Sequence, residues 1–112
     1  SIKCISEYLD IKTELITSSK LNKDNSLKSQ NKILEICELL GATEYCNAIG
    51  GQELYSKDAF ANKNIQLRFL KTNDIRYQQF KNDFVSNLSI IDVMMFNSIS
   101  TIKEFLLKYT LV

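Results

Sequence analysis

The apolar residues of this chain fall into short segments whose spacing alternates between that of a strand and that of a helix. Residues 13–17 are rich in β-branched side chains and predict a first strand, and residues 44–49, a short apolar segment between glycines, predict a second. Alternation of Ile65, Leu67 and Phe69 with polar residues predicts a third strand. Strands joined by helical crossovers run parallel with right-handed connections. The predicted fold class is therefore α/β, a small three-layer βαβαβ unit with a mainly parallel three-stranded sheet and two C-terminal helices.

Two helices are predicted between the strands. The first spans residues 27–40 and ends at Gly41, which can adopt the left-handed conformation that closes a helix. Its apolar stripe has the spacing of one helix face and consists of Ile33, Ile36, Cys37 and Leu40. The second helix is short, with Ser56 as its N-cap and Asn64 as its stop. Residues 18–29, before the first of these helices, are polar and aperiodic, which indicates a long loop.

Helices are also predicted towards both ends of the chain. Residues 2–9 have apolar side chains at helical spacing from the very start. Residues 87–97 contain a helix whose apolar side chains cover nearly its whole circumference, so we expect it to be buried on most sides. A last helix spans residues 101–109 and is opened by a capping box between Thr101 and Glu104.

Size and composition are typical of one soluble globular domain. The chain has 112 residues, of which 45% are hydrophobic, so a second core has no room to form. No apolar run approaches the roughly 20 residues that span a bilayer, and no leader of basic and then apolar residues is present. We therefore predict a cytoplasmic protein without membrane insertion. A helix that starts at Ser1 with no room for an N-cap indicates a fragment of a longer protein.

Charge and residue types exclude several classes of function. The 14 basic and 13 acidic residues are spread along the chain and give a net charge of +1, too little for the basic face that binds nucleic acid. The absence of histidine excludes histidine-based triads, histidine metal sites and imidazole acid-base catalysis within this chain. The three cysteines lack CxxC spacing, so neither a disulfide framework nor a zinc site is predicted. Cys37, on the apolar face of a helix, is interpreted as a small buried hydrophobe.

The loops after the predicted strands carry groups that suit a polar ligand. In open parallel sheets, ligands bind at the carboxyl ends of the strands, where loop amides and helix N-termini gather. Hydroxyl, amide and glycine groups there would suit a phosphate, a carboxylate or a sugar, and the predicted ligand-binding residues are Ser18, Ser19, Asn47, Gly50 and Gly51. The alternative is that polar residues simply populate loops. For the two glycines, an ordinary tight turn explains the pattern as well as an anion cradle does.

Two further candidates lie in the C-terminal part of the chain. Asp92 is an ionisable group within a run of apolar residues, which marks a functional carboxylate if no structural role satisfies it. A capping box with Ser89 would be such a role, so both interpretations stay open, with Asp92 as the catalytic candidate. Tyr77 follows the third strand, where an aromatic ring beside amides can bind a sugar or a base, although a solvated loop is the simpler interpretation. The sequence predicts no metal site and identifies no cofactor.

Four segments together resemble the WbqC-like protein family. In the order and spacing of the family, they are Leu-Leu-Gly-Ala-Thr-Glu-Tyr at 39–45, Gly-Gly-Gln-Glu-Leu-Tyr at 50–55, Ile-Gln-Leu-Arg-Phe at 65–69 and Asn-Leu-Ser-Ile-Ile-Asp at 87–92. The last of these is the most specific. A fifth segment, Asp-Ile-Lys-Thr at 10–13, is similar to the Gly-Ile-Lys-Thr type of the family, with Asp10 where a glycine is usual.

The resemblance implies a function as well as a family. WbqC-like proteins are bacterial and are associated with the biosynthesis of O-antigen and related surface polysaccharides. The resemblance implies a transferase that adds an acyl or glycyl group to a nucleotide-linked sugar. Because the segments match the C-terminal half of the family, it also implies that the N-terminal half, with its Gln-Pro-x-Phe and Trp-x-Asn-Arg segments, is missing from this chain.

Two hypotheses of function follow. In the first, the parent protein is a cytoplasmic transferase, and the five predicted ligand-binding residues hold the polar part of a nucleotide sugar or an acyl donor. Since the chain has no histidine, the general base would be a carboxylate, a lysine, a tyrosine or a group of the missing half. In the second, the chain is a non-catalytic interaction module. Its first and last helices would then dock on a partner protein, on the missing half or on a second copy of the chain.

Overall fold

The structure is a computed structural model that describes all 112 residues, and the chain divides into two compact units. We call them the sheet unit, made of Ile16–Lys71 and Thr110–Val112, and the α4 unit, made of Ser1–Leu15 and Thr72–Tyr109. Each unit has a hydrophobic cluster of its own, so the expectation that a second core has no room to form is wrong.

Five α-helices, three strands and two 3-10 helices make up the chain. The α-helices are α1 (Ile2–Tyr8), α2 (Ser29–Leu39), α3 (Lys57–Ala61), α4 (Ile90–Phe96) and α5 (Ile99–Leu106). The strands are β1 (Glu44–Ala48), β2 (Gln66–Thr72) and β3 (Tyr109–Leu111), and the 3-10 helices are Ser18–Lys20 and Ile49–Leu54. No helix combines the length and the apolar character needed to cross a membrane.

The sheet is mixed, with the order β1-β2-β3. Strands β1 and β2 are parallel, and their register places Glu44 opposite Gln66 and Ala48 opposite Leu70. This confirms the predicted parallel pair and its helical crossover through α3. At the other edge of β2, Phe69 and Val112 exchange two backbone hydrogen bonds of 2.8 and 2.9 Å, the reciprocal pattern of an antiparallel pair. The prediction of a mainly parallel sheet is therefore wrong.

The first predicted strand does not form. Residues 13–17 have no strand neighbour, and their apolar side chains, Leu15 and Ile16, are about half exposed. β-Branched residues favour a strand only when cross-strand neighbours and burial stabilise it, and this segment has neither. The third strand of the sheet is instead β3, a segment whose beginning the sequence pattern assigned to the last helix.

The core of the sheet unit forms on one face of the sheet. Phe60 of α3 is fully buried, and its ring stacks on Tyr45 of β1 with the centroids 5.5 Å apart. Leu67 and Phe69 alternate along β2 and therefore share a face. They belong to the same cluster as Leu34 of α2 and Phe60, so both helices of this unit cover that face. The unit has two layers, and the predicted three-layer arrangement is not observed.

A glycine closes α2 as the sequence predicts. Gly41 has φ +63°, and its N–H donates to the carbonyl of Glu38 at 3.1 Å. The next N–H, of Ala42, donates to the carbonyl of Cys37 at 2.8 Å. This pair of bonds is the Schellman motif, which satisfies carbonyls that the end of a helix leaves free.

The same motif closes α1, with an aspartate in the glycine position. Asp10 has φ +55°, its N–H donates to the carbonyl of Glu7 at 3.1 Å, and the N–H of Ile11 donates to that of Ser6 at 2.8 Å. Aspartate tolerates left-handed backbone better than most side chains do, but less well than glycine. A glycine at this position would therefore close the helix with less backbone strain than Asp10 does.

The α4 unit has a smaller core, formed by Leu9, Val93 and Ile102. Val93 is the only buried residue of α4, whereas Ile91 is 61% exposed and Met95 is 79% exposed. The expectation that this helix is buried on most sides is therefore wrong.

The predicted cap of α5 is also wrong. The hydroxyl of Ser98 accepts a hydrogen bond from the N–H of Thr101 at 3.3 Å, so α5 begins earlier than the sequence pattern indicates. Ser98 precedes an apolar residue at helical spacing, Ile99, and was an available N-cap signal.

Candidate functional site

A cleft of about 490 Å³ opens in the α4 unit, at the point where the chain leaves β2. Its walls come from Thr72 at the end of β2, from residues 73–75 and Tyr77 after the strand, from Phe84 and residues 86–88 before α4, and from Val93. The volume lies in the usual range for small-molecule sites. The wall thus begins at the carboxyl end of a strand that has a parallel neighbour, the position at which ligands bind in open parallel sheets.

The cleft wall combines polar side chains, one of them a carboxylate, with aromatic and aliphatic ones. Besides the phenol of Tyr77, the polar groups are two hydroxyls, two amides and one carboxylate, which belong to Thr72, Asn73, Asp74, Ser86 and Asn87. The apolar and aromatic residues of the wall are Ile75, Tyr77, Phe84, Leu88 and Val93. No lysine or arginine is part of the wall. Such a lining can hydrogen-bond a polar molecule while covering its apolar faces.

Tyr77 and Asp92, both predicted from the sequence, are hydrogen-bonded to each other. The Tyr77 hydroxyl donates to Oδ2 of Asp92 at 2.5 Å, and the bond is partly buried. Tyr77 lies on the cleft wall, whereas Asp92 stands behind it. The carboxylate is therefore connected to the cleft through the tyrosine.

The predicted capping box of Ser89 and Asp92 is only half formed. Ser89 does cap α4, since its hydroxyl accepts from the N–H of Ile91 at 3.2 Å. The carboxylate of Asp92 does not complete the capping box, because its hydrogen-bond partners are the side chains of Tyr77 and Gln79. The carboxylate of Asp92 is thus bonded to Tyr77 and Gln79 rather than to the end of the helix.

Gln79 is a residue that sequence reasoning did not select as a site residue. It is only 7% exposed, and its Nε2 donates to Oδ2 of Asp92 at 2.9 Å. The same Nε2 donates to the carbonyl of Val85 at 3.0 Å, and Oε1 accepts from the N–H of Val85 at 2.8 Å. The amide therefore closes the loop of residues 79–85 and holds one wall of the cleft against Asp92. No local sequence signal separates it from its neighbour Gln78, which is exposed.

The surroundings keep Tyr77 protonated. Burial raises the pKa of Tyr77 above the ordinary value for a phenol, and the hydrogen bond to Asp92 raises it further. Its ring meets that of Phe84 edge to face, with the centroids 5.3 Å apart. Tyr77 is consequently a neutral and well-oriented hydroxyl at neutral pH, hydrogen-bonded to a base.

The other predicted ligand-binding residues lie in the sheet unit. Ser18 and Ser19 belong to a short 3-10 helix and are exposed, and neither hydroxyl has a hydrogen-bond partner in the protein. The ammonium of Lys23 donates to the backbone carbonyl of Ser18. No hydrogen bond connects these serines to the predicted residues Asn47, Gly50 and Gly51.

Asn47 and Gly51 are brought into direct contact. Oδ1 of Asn47 accepts from the N–H of Ala48 at 2.7 Å, and a Cβ placed on the buried Gly51 would lie 3.1 Å from Nδ2 of Asn47. Gly51 is therefore required for close packing on an amide. Gly50 is exposed and has open space around it. Both glycines belong to the 3-10 helix that follows β1.

The cysteines behave as three independent thiols. Cys37 is buried, as interpreted from the sequence, and burial raises its pKa. Cys4 and Cys46 are exposed, and no cysteine is part of a disulfide. No group of three or more cysteine, aspartate or glutamate side chains is arranged to hold a metal ion.

Comparison with known proteins adds one finding. The sequence model of the WbqC-like protein family matches residues 1–104, which include the cleft, Tyr77 and Asp92. This chain belongs to the WbqC-like protein family. The match confirms the resemblance of the four sequence segments. No curated protein and no solved structure matches the chain.

In this WbqC-like chain, the most specific of the four segments builds the cleft. Asn87 has φ +58° and lines the cleft together with Leu88. Ser89 then caps α4, and the first turn of the helix places Asp92 behind Tyr77. One six-residue segment thus supplies part of the wall, the start of the helix and the carboxylate.

Proposed function

We propose that this WbqC-like chain is part of a transferase of bacterial surface polysaccharide biosynthesis, O-antigen included, which adds an acyl or glycyl group to a nucleotide-linked sugar. The observation that carries the proposal is Tyr77, a residue of the cleft wall whose hydroxyl is hydrogen-bonded at 2.5 Å to the carboxylate of Asp92 in a partly buried bond. Family membership agrees with this assignment, and it does not by itself specify the reaction.

The proposed step is the attack of a sugar hydroxyl or amine on the carbonyl carbon of an activated acyl donor. A new bond forms between the sugar oxygen or nitrogen and the acyl carbon, and the bond from that carbon to the leaving group breaks. As the sugar group attacks, its proton passes to the oxygen of Tyr77 while the proton of Tyr77 passes to Asp92. The protonated Asp92 then returns its proton, through Tyr77, to the leaving group. In this scheme Asp92 is the base and Tyr77 is the group that contacts the substrate.

The residues predicted in the sheet unit remain part of the proposal as a separate binding site. Ser18 and Ser19 offer exposed hydroxyls without a protein partner, and the turn that contains Asn47, Gly50 and Gly51 offers an amide and backbone groups. We propose that they bind the anionic or polar part of the donor or of the nucleotide. Alanine at both Ser18 and Ser19 would then weaken binding of the donor. It would not change the NMR chemical shifts that a sugar causes in the backbone amides of the cleft.

A transfer assay tests the proposal. The chain would be incubated with nucleotide sugars and with acyl or glycyl donors, and mass spectrometry would detect the modified sugar. We expect Tyr77→Phe and Asp92→Asn to reduce the rate at least about 100-fold, the usual contribution of general acid-base catalysis. Tyr8→Phe is the matched control, because Tyr8 belongs to another part of the unit and its hydroxyl donates to no protein group. A rate of transfer that is unchanged in Tyr77→Phe would refute the assigned chemistry.

A second candidate function rests on a different observation. An apolar groove of about 440 Å³ lies between α1 and α4, and its walls include Ile5, Met94 and the exposed Ile91 and Met95. This surface favours the non-catalytic interaction module, which would dock its apolar helices on another chain. Light scattering on the purified chain tests it in the form of self-association. If the native chain and Met95→Glu are both monomeric at all concentrations, the result counts against self-association through this groove.

A further inference from the structure

We propose that the cleft after β2 binds an uncharged sugar ring and excludes phosphate, so that the diphosphate of a nucleotide-linked sugar stays outside it. This inference rests on the proposed function and specifies which part of the substrate enters the cleft.

The charge of the wall is the first argument. Its single ionised side chain is the carboxylate of Asp74, and it has no lysine or arginine. Phosphate sites in proteins depend on cationic side chains or on clusters of free backbone N–H groups. A phosphate in this cleft would face the carboxylate without any cation of the wall to balance it.

Arg76 is not part of the wall, but it interacts with two wall residues. Nε of Arg76 lies 3.5 Å from Oδ2 of Asp74, and its guanidinium carbon lies 5.7 Å from the centroid of Phe84. Arg76 thus pairs with the carboxylate and lies over an aromatic ring. The pair has no net charge left to attract an anion.

The start of the neighbouring helix offers no substitute for a cation. The helix that starts beside the cleft is α4, which has only seven residues, and the hydroxyl of Ser89 already accepts from its N–H at Ile91. Apart from the carboxylate of Asp74, which can accept from a sugar hydroxyl, the available groups are neutral donors and acceptors, which match the hydroxyls of a sugar, and aromatic rings, which match its C–H faces. Ser86 and Asn87 on one wall and Thr72 on the other can bond hydroxyls on two sides of a ring.

Amide shifts in the full 112-residue chain test the inference, with N-acetylglucosamine, UDP and UDP-N-acetylglucosamine as probes. We expect both sugar-containing probes to shift the amides of Tyr77, Ser86 and Asn87, and UDP alone to leave them unchanged. Asp74→Asn should weaken the binding of N-acetylglucosamine about tenfold, since a sugar hydroxyl loses a charged acceptor. Asp83→Asn is the matched control, because it makes the same change of charge in the same loop but outside the cleft wall. Asp83→Asn should leave the affinity for N-acetylglucosamine unchanged.

The possible outcomes separate this inference from the proposed function. If UDP shifts the cleft amides, or if Asp74→Asn binds UDP-N-acetylglucosamine more tightly, the cleft is an anion site and the inference is wrong. It is equally wrong if neither sugar-containing probe shifts those amides. Sugar binding in the cleft together with no transfer in the mass assay would overturn the transferase and leave the inference intact. Transfer by a protein whose cleft binds UDP would overturn the inference and leave the transferase intact.

Discussion

The hydrogen bond between Tyr77 and Asp92 predicts an energetic coupling that a double-mutant cycle can measure. The bond is 2.5 Å long, partly buried and accepted by a carboxylate, and hydrogen bonds to charged groups contribute about 1.5–3 kcal/mol. Tyr77→Phe removes the donor, and Asp92→Asn keeps an acceptor of the same shape but removes its charge. We expect each substitution to lower the free energy of unfolding by about 1–2 kcal/mol, because Gln79 still donates to the remaining group.

The double variant should lose about 1–2 kcal/mol less than the sum of the two single variants, since both remove the same interaction. Urea unfolding, followed by circular dichroism at pH 7, gives the four free energies. Tyr8→Phe serves as the control for the loss of a tyrosine hydroxyl, and it should stay within about 0.5 kcal/mol of the native chain. Additivity of the two substitutions within about 0.5 kcal/mol would refute the coupling and, with it, the connection of Asp92 to the cleft through Tyr77.

Three further predictions concern stability and reactivity. Gly41→Ala should lower the free energy of unfolding by about 1 kcal/mol in urea unfolding, because its φ is +63°, whereas Gly50→Ala in open space should be near neutral. Ellman's reagent should label two thiols quickly in the folded chain, and Cys37 only after denaturation; three fast thiols would contradict its burial. Burial and the neighbouring Tyr55 raise the pKa of Tyr45 to about 12. Unfolded tyrosine titrates near about 10, so between those values the unfolded chain has lost a proton that the folded chain keeps, and stability should fall as pH rises through this interval. Tyr45→Phe should flatten that decline, and an equal slope in both proteins would disprove the assignment.

The ends of the helices show how far local sequence signals reach. Gly41 as the stop of α2 and Ser56 as the cap of α3 were predicted correctly, because backbone freedom and a side-chain acceptor act on groups only a few residues away. Asp92 shows the limit of such signals. The residue stands at the right distance from Ser89 for a capping box, but its carboxylate is bonded to Tyr77 and Gln79. Those partners are 15 and 13 residues away along the chain, and no local pattern connects them.

The cleft also combines residues that local sequence signals predict with residues that only the folded chain brings together. Strand-end reasoning pointed to the loop after β2 and selected Tyr77, and both agree with the position of the cleft. It could not find Phe84, Ser86 or the clamp formed by Gln79, because these residues become part of the site only when the loop of residues 79–85 folds back towards Asp92. It also selected Ser18 and Ser19 on the assumption that residues 13–17 form a strand of the same sheet, and they do not.

The amino-acid sequence by itself determined the family, the parallel β1-α3-β2 unit and most helix positions, because apolar periodicity and capping act over one or two turns of chain. Only the tertiary structure decided which segment completes the sheet. Residues 13–17 and 109–111 both have β-forming side chains, and β3 gains backbone hydrogen bonds from β2 that the earlier segment lacks. Only the tertiary structure also joined Asp92, Gln79 and Tyr77, since hydrogen bonds between distant residues depend on how the chain returns in space.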